Sequence, residues 1–137
     1  MKQLIILMLS SMLFLQFTCN KQAPEGGELE EKEWHLVQYT VKQQQHIPIG
    51  KNPATIRLEG GQVSGSGSCN GYFGSYSLNG VNLQISSIGA TEMACLLVMD
   101  QEQAFFQLLE DAETYTSKDN TLTIYAKKGS LVFKSAP

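Results

Sequence analysis

Apolar residues in this chain fall into short runs from Trp34 onward, separated by polar and turn-forming residues. Trp34-His-Leu-Val-Gln-Tyr-Thr-Val41 is rich in β-branched and aromatic residues and predicts a first strand. Residues 43–53 are polar, contain Pro48 and Pro53, and predict a loop. In Ala54–Glu59 the apolar positions Ile56 and Leu58 alternate, as in a half-buried strand. Gly60-Gly61 then turns the chain into a return strand over Gln62–Gly65. A strand from Tyr72 to Leu78 ends at Asn79-Gly80, a strong hairpin signal, and Val81–Ile85 pairs back. One helix is expected over about 100–112. Asp100 would cap it, Gln103 would complete a capping box, and Ala104, Phe105, Leu108, Leu109 and Ala112 form the buried stripe. Glu102, Glu110 and Asp111 fall on its polar side. Strands over Thr121–Ala126 and Ser130–Lys134, joined at Lys127-Lys128-Gly129, complete the pattern. The expected fold is mainly β: a compact antiparallel barrel or strongly curved sheet with one packed helix.

The first eighteen residues follow another rule. Lys2 precedes an apolar run from Leu4 to Phe17, too short for a membrane span and shaped like a signal peptide. Cys19 follows directly, at the position where lipoprotein processing acylates a cysteine thiol. Residues 19–32 hold few large apolar side chains and several acids, and predict a flexible tether. The domain then occupies 33–137. The expected location is the cell envelope, with the outer membrane favoured because Asn20 is not the Asp that retains some lipoproteins in the inner membrane. The net charge is −3, and without Lys2 nine basic residues face thirteen acidic ones, giving −4. That balance disfavours nucleic acid and anionic bilayer surfaces as partners.

Cys69 and Cys95 remain once Cys19 is set aside. In an exported protein their simplest state is a disulfide. The rival readings are a reactive thiol or a metal pair, and the spacing lacks the close Cys-x-x-Cys of a metal site. Ser64-Gly-Ser-Gly-Ser-Cys-Asn-Gly71 lacks the Gly-x-Gly-x-x-Gly spacing of a dinucleotide loop and leads into a strand, so it predicts a tight barrel corner. No catalytic elbow or zinc-protease motif occurs, and His35 and His46 are the only histidines. Asn70, Tyr72, Tyr76 and Glu92 are the candidates for lining a small ligand site. No catalytic residue, metal ligand or cofactor is assigned, and a monomer is expected.

Trp34-x-Leu-x-x-Tyr39, Val63-Ser-Gly-Ser-Gly-Ser-Cys-Asn-Gly-Tyr-Phe-Gly-Ser-Tyr76, Thr91-Glu-Met-Ala-Cys95, the Glu102–Leu109 helix and Leu131-Val-Phe133 together resemble the META (HslJ-like) domain family over about residues 33–134. Glu92 stands where that family often has Arg. The resemblance implies a barrel-like domain with a helix, often on a bacterial lipoprotein, linked loosely to stress tolerance and with no established enzyme activity. The resulting expectation is a non-enzymatic, lipid-anchored envelope protein that binds a protein or small ligand. The alternative is a thiol-dependent redox protein or enzyme using Cys69 or Cys95.

Overall fold

The structure, a computed structural model, describes residues 29–137. The expected signal segment, Cys19 and most of the tether lie outside the described residues. Among these residues, strands β1 (Glu33–Val41), β2 (Gln44–His46), β3 (Thr55–Glu59), β4 (Gln62–Ser66), β5 (Gly71–Asn79) and β6 (Asn82–Ala90) lead into helix α1 (Met99–Glu110). Strands β7 (Ala112–Lys118), β8 (Thr121–Ala126) and β9 (Gly129–Ser135) follow. All pairings are antiparallel, and β9 pairs with β1, so eight strands close into a barrel while β2 adds a short ribbon to β1. The fold expected from the sequence is therefore the fold observed.

The alternation along the strands fills the interior. Trp34 and Leu36 of β1, Ile56 and Leu58 of β3, Val63 of β4, Leu83 and Ile85 of β6, Leu122 and Ile124 of β8, and Leu131 and Phe133 of β9 meet in one apolar cluster. Helix α1 adds Phe105, Leu108 and Leu109 to it. Phe105 packs edge-on against Phe133 and Tyr72, so the helix is fixed to opposite walls of the barrel. Leu29 is buried in the same core, and its carbonyl accepts a 2.9 Å hydrogen bond from the Trp34 indole N–H. The Glu31 amide donates to the Leu58 carbonyl. The chain thus enters beside the β3–β4 turn.

Local departures from the sequence reading have physical reasons. The β5–β6 turn is Gly80-Val81 rather than Asn79-Gly80, and β6 runs on to Ala90. Gly80 alone takes positive φ (+59°), as a turn with Gly in its first central position requires. Val81 then sits exposed in the turn, while Leu83 and Ile85 point inward. The helix begins at Met99 with Val98 as N-cap and no side-chain cap; Asp100 lies inside the first turn, where its charge suits the helix dipole. It ends at Glu110, because Ala112 pairs with Ala126 and opens β7. That strand, Ala-Glu-Thr-Tyr-Thr-Ser-Lys, buries only Tyr115 fully and shows no apolar alternation. Strand β2 lies in the segment expected to be loop, held by pairing with β1 and by Tyr39 stacked on His46.

Candidate functional site

Three loops converge where β4 ends and β5 begins. The Gly67–Asn70 turn is closed by the Gly67 amide donating to the Asn70 carbonyl, 2.8 Å. The segment after β6, residues 91–98, lies against it, and the loop around Ile49 approaches from the other side. A disulfide joins Cys69 to Cys95, with the Cα atoms 5.9 Å apart.

Asn70 organises this end of the barrel. Its side-chain oxygen accepts from the Met93 amide (2.7 Å) and the Thr91 hydroxyl (2.9 Å). Its Nδ2 donates to the Glu102 carboxylate (2.5 Å) and the Met93 carbonyl (3.1 Å). Glu102, only 2% exposed, also accepts from the amides of Cys69 (2.9 Å) and Asn70 (2.7 Å). Next to it Gln101 accepts from the Ile49 amide and donates to the Ile49 carbonyl and the Ser68 hydroxyl. Two consecutive helix residues therefore satisfy the backbone of two loops. Gly67 is required by proximity: a Cβ there would lie 2.6 Å from Glu102 Oε2 and 2.7 Å from Phe106.

The sequence reading placed Glu102 on the solvent side of the helix, and the structure corrects this. Helical periodicity registers an acid as outward-facing. Only the unsatisfied amides of a buried glycine-rich turn signal that a carboxylate belongs beneath it.

The four candidate ligand residues separate. Asn70 and Glu92 line one open groove of about 710 Å³ between the 91–94 segment and helix residues Met99, Gln103 and Phe106. Tyr72 is buried, its hydroxyl donating to the Thr55 carbonyl at 2.9 Å, and burial pushes its pKa upward. Tyr76 lies at the opposite end, where its amide donates to Gly61 and its hydroxyl to Glu30. Burial, then the Glu30 carboxylate, push its pKa up to about 12. His35 pairs with Glu33 on β1. Among the described residues no group of three or more His, Cys, Asp or Glu side chains could hold a metal ion, and no helix is long and apolar enough to cross a membrane.

Around the disulfide the surface is apolar. Leu96 and Leu97 are 93% and 85% exposed, and Ile47, Ile49 and Met93 are exposed as well. The backbone displaying Ile49 and Met93 is pinned by Gln101 and Asn70, so these side chains project from a fixed frame.

The fold recurs in solved structures. A protein from Burkholderia xenovorans, determined by NMR, superposes with a TM-score of 0.69 at 21% identity, over 79% of this chain and 83% of that one. A second NMR structure gives 0.62 at 23% identity, covering 78% and 91%. A DUF4847 family protein from Bacteroides vulgatus gives 0.58 at 16% identity, covering 75% and 91%. No curated protein matches the chain. The META domain family matches residues 27–137, which takes in every described element and the whole disulfide frame, and the chain belongs to that family.

Proposed function

We propose that this protein is a non-enzymatic, stress-related binding module of the cell envelope, anchored by lipid on Cys19 and acting through its surface on a protein or small ligand. The observation that carries the reading is the division of labour at the disulfide end. Its buried polar groups are engaged in internal hydrogen bonds, while large apolar side chains face solvent. Rigid exposed apolar groups with a polar surround suit recognition rather than proton or acyl transfer. The anchor reading rests on the apolar run ending immediately before Cys19. From Cys19 to Leu29 the chain reaches at most about 35 Å. Leu29 enters at the end of the barrel opposite the disulfide, so a tether to the bilayer attaches away from the apolar end and leaves it accessible.

Co-purification of crosslinked envelope partners tests the binding reading. Loss of a partner on changing Leu96 and Leu97 to Ser, with melting unchanged, is the expected result; no partner together with no stress phenotype on deletion would overturn it. A thiol-dependent redox role is the second reading, favoured by the partial exposure of both bonded cysteines. It requires that the disulfide open and re-form under cellular thiol exchange.

A further inference from the structure

Between Glu59 and Glu92 the chain carries no Asp, Glu, Lys, Arg or His. That stretch contains β4, β5 and β6, three neighbours in the barrel wall, so their outer face bears no charged side chain. Arg57 and Glu59 of β3, which border it, pair with each other at 3.0 Å. Alternation sends Val63, Tyr72, Tyr76, Leu83 and Ile85 inward and leaves hydroxyl and amide side chains outside. Strand register sets the outer ones in rows across the wall: Gln62, Ser75 and Ser86; Ser77 and Gln84; Ser64, Phe73 and Gly89. Phe73 stands among them 69% exposed. The far end of its ring lies over Gly89, where a Cβ would sit 3.1 Å from the ring. The missing side chain on β6 lets the ring reach across the neighbouring strand while remaining open to solvent.

The face continues into an open groove of about 840 Å³ at the β5–β6 hairpin. Ser77, Asn82 and Gln84 line it on the hairpin side, and Glu110, Glu113 and Lys127 line the other. Ser77, Gln84, Glu110 and Glu113 are exposed, and among the described residues their side chains make no hydrogen bond. Ser77 and Phe73 are four residues apart on β5, a span of about 13 Å.

This combination suits a sugar chain. A pyranose ring has an apolar C–H face, which packs on the face of an aromatic ring, and a rim of hydroxyls that both donate and accept. A side-chain amide answers such hydroxyls with donor and acceptor together, and a carboxylate accepts from two at once. A protein partner is matched by charge or by a broad apolar area, and this face has neither. Glu110 and Glu113 outnumber Lys127 in the groove, which sets it against an acidic polysaccharide.

We propose that the outer face of β4–β6, from the groove at Gln84 to Phe73, binds an uncharged glycan chain. One ring stacks on Phe73, and Ser77, Gln84, Glu110 and Glu113 take the hydroxyls of rings further along. The site excludes Leu96 and Leu97 and is independent of the binding assigned to the disulfide end.

The test is a microarray of neutral and acidic oligosaccharides probed with the full chain in mild detergent, followed by calorimetry on the glycans captured. The expected result is capture by neutral glycans and not by sulfated or uronic-acid ones. Phe73→Ala and Gln84→Ala should each weaken affinity about tenfold, and Phe73→Trp should preserve it. Gln84 is exposed, so Gln84→Ala reads the face even where Phe73→Ala disturbs the packing on Gly89. Changing Leu96 and Leu97 to Ser should leave the affinity unchanged. Capture of no glycan overturns the proposal, as does equal capture of acidic ones. Affinity indifferent to both Phe73→Ala and Gln84→Ala overturns the face. Affinity lost with Leu96 and Leu97 instead moves the site to the disulfide end, which overturns this face and leaves the binding-module reading standing.

Discussion

Glu102 holds together the loops of the disulfide end. Its carboxylate takes three donors from Cys69 and Asn70 inside the protein. Glu102→Gln leaves those donors facing an amide, and should cost on the order of 3 kcal/mol in denaturant unfolding. Gly67→Ala drives a methyl group into the same carboxylate and into Phe106. It should destabilise by about 1–3 kcal/mol, read by the same unfolding curve. At the other end of the barrel, Tyr76 holds its proton more tightly folded than unfolded, with a pKa near 12 against the ordinary 10.0. Stability from that difference is fully present below pH 10 and falls as pH rises from 10 toward 12, because the unfolded chain loses the proton first. Tyr76→Phe should flatten part of the decline in melts taken across that window. The Cys69–Cys95 pairing was legible in residue type and number, whereas Asn70 stood out only as a candidate pocket lining. The role of Glu102 was not, since it is set by amides that approach only after the barrel closes.

At the scale of elements, local signals were strongest where propensity and packing agree. Trp34–Val41 and Thr121–Ala126 alternate or are β-branched, and both are strands. Strand β7 was missed because its neighbours, not its composition, make it a strand: it pairs with β8 from Ala112 to Lys118. The same pairing ends the helix at Glu110 instead of 112. The expected hairpin was right in kind and shifted by one residue, since Val81 tolerates the second turn position and not a left-handed one. The disulfide ties the β4–β5 turn to the 91–98 segment across 26 residues, a loop whose closure contributes roughly 3.5 kcal/mol in the chain-entropy model. Changing Cys69 and Cys95 to Ser together should lower the melting temperature by on the order of 15 °C while leaving the circular dichroism spectrum β-rich. An unchanged melt would mean that the hydrogen bonds of Asn70 and Glu102 hold the end unaided.

For the whole molecule, barrel closure follows from simple accounting of apolar faces. Each barrel strand contributes inward side chains to one cluster, and α1 covers what the strands leave open. The mainly β class was therefore readable in advance. The single-position pairing of β6 with β7 was not, because it depends on how far the two strands slide past one another, a quantity that alternation does not encode. The proposed lipid anchor makes its own prediction. Cys19→Ser should move the protein from the membrane fraction to the soluble fraction on cell fractionation, with its fold intact. Retention on the membrane would overturn the lipid anchor on Cys19.

The proposed binding role requires Cys69 and Cys95 to be a resting crosslink within the binding surface. Rapid alkylation of cells expressing the chain, followed by mass spectrometry of the unreduced protein, addresses this directly. The expected result is a Cys69–Cys95 linked peptide with no alkylated form of either cysteine, in stressed and unstressed cells alike. A substantial alkylated fraction, changing with stress, would contradict it and make these sulfurs the reactive centre.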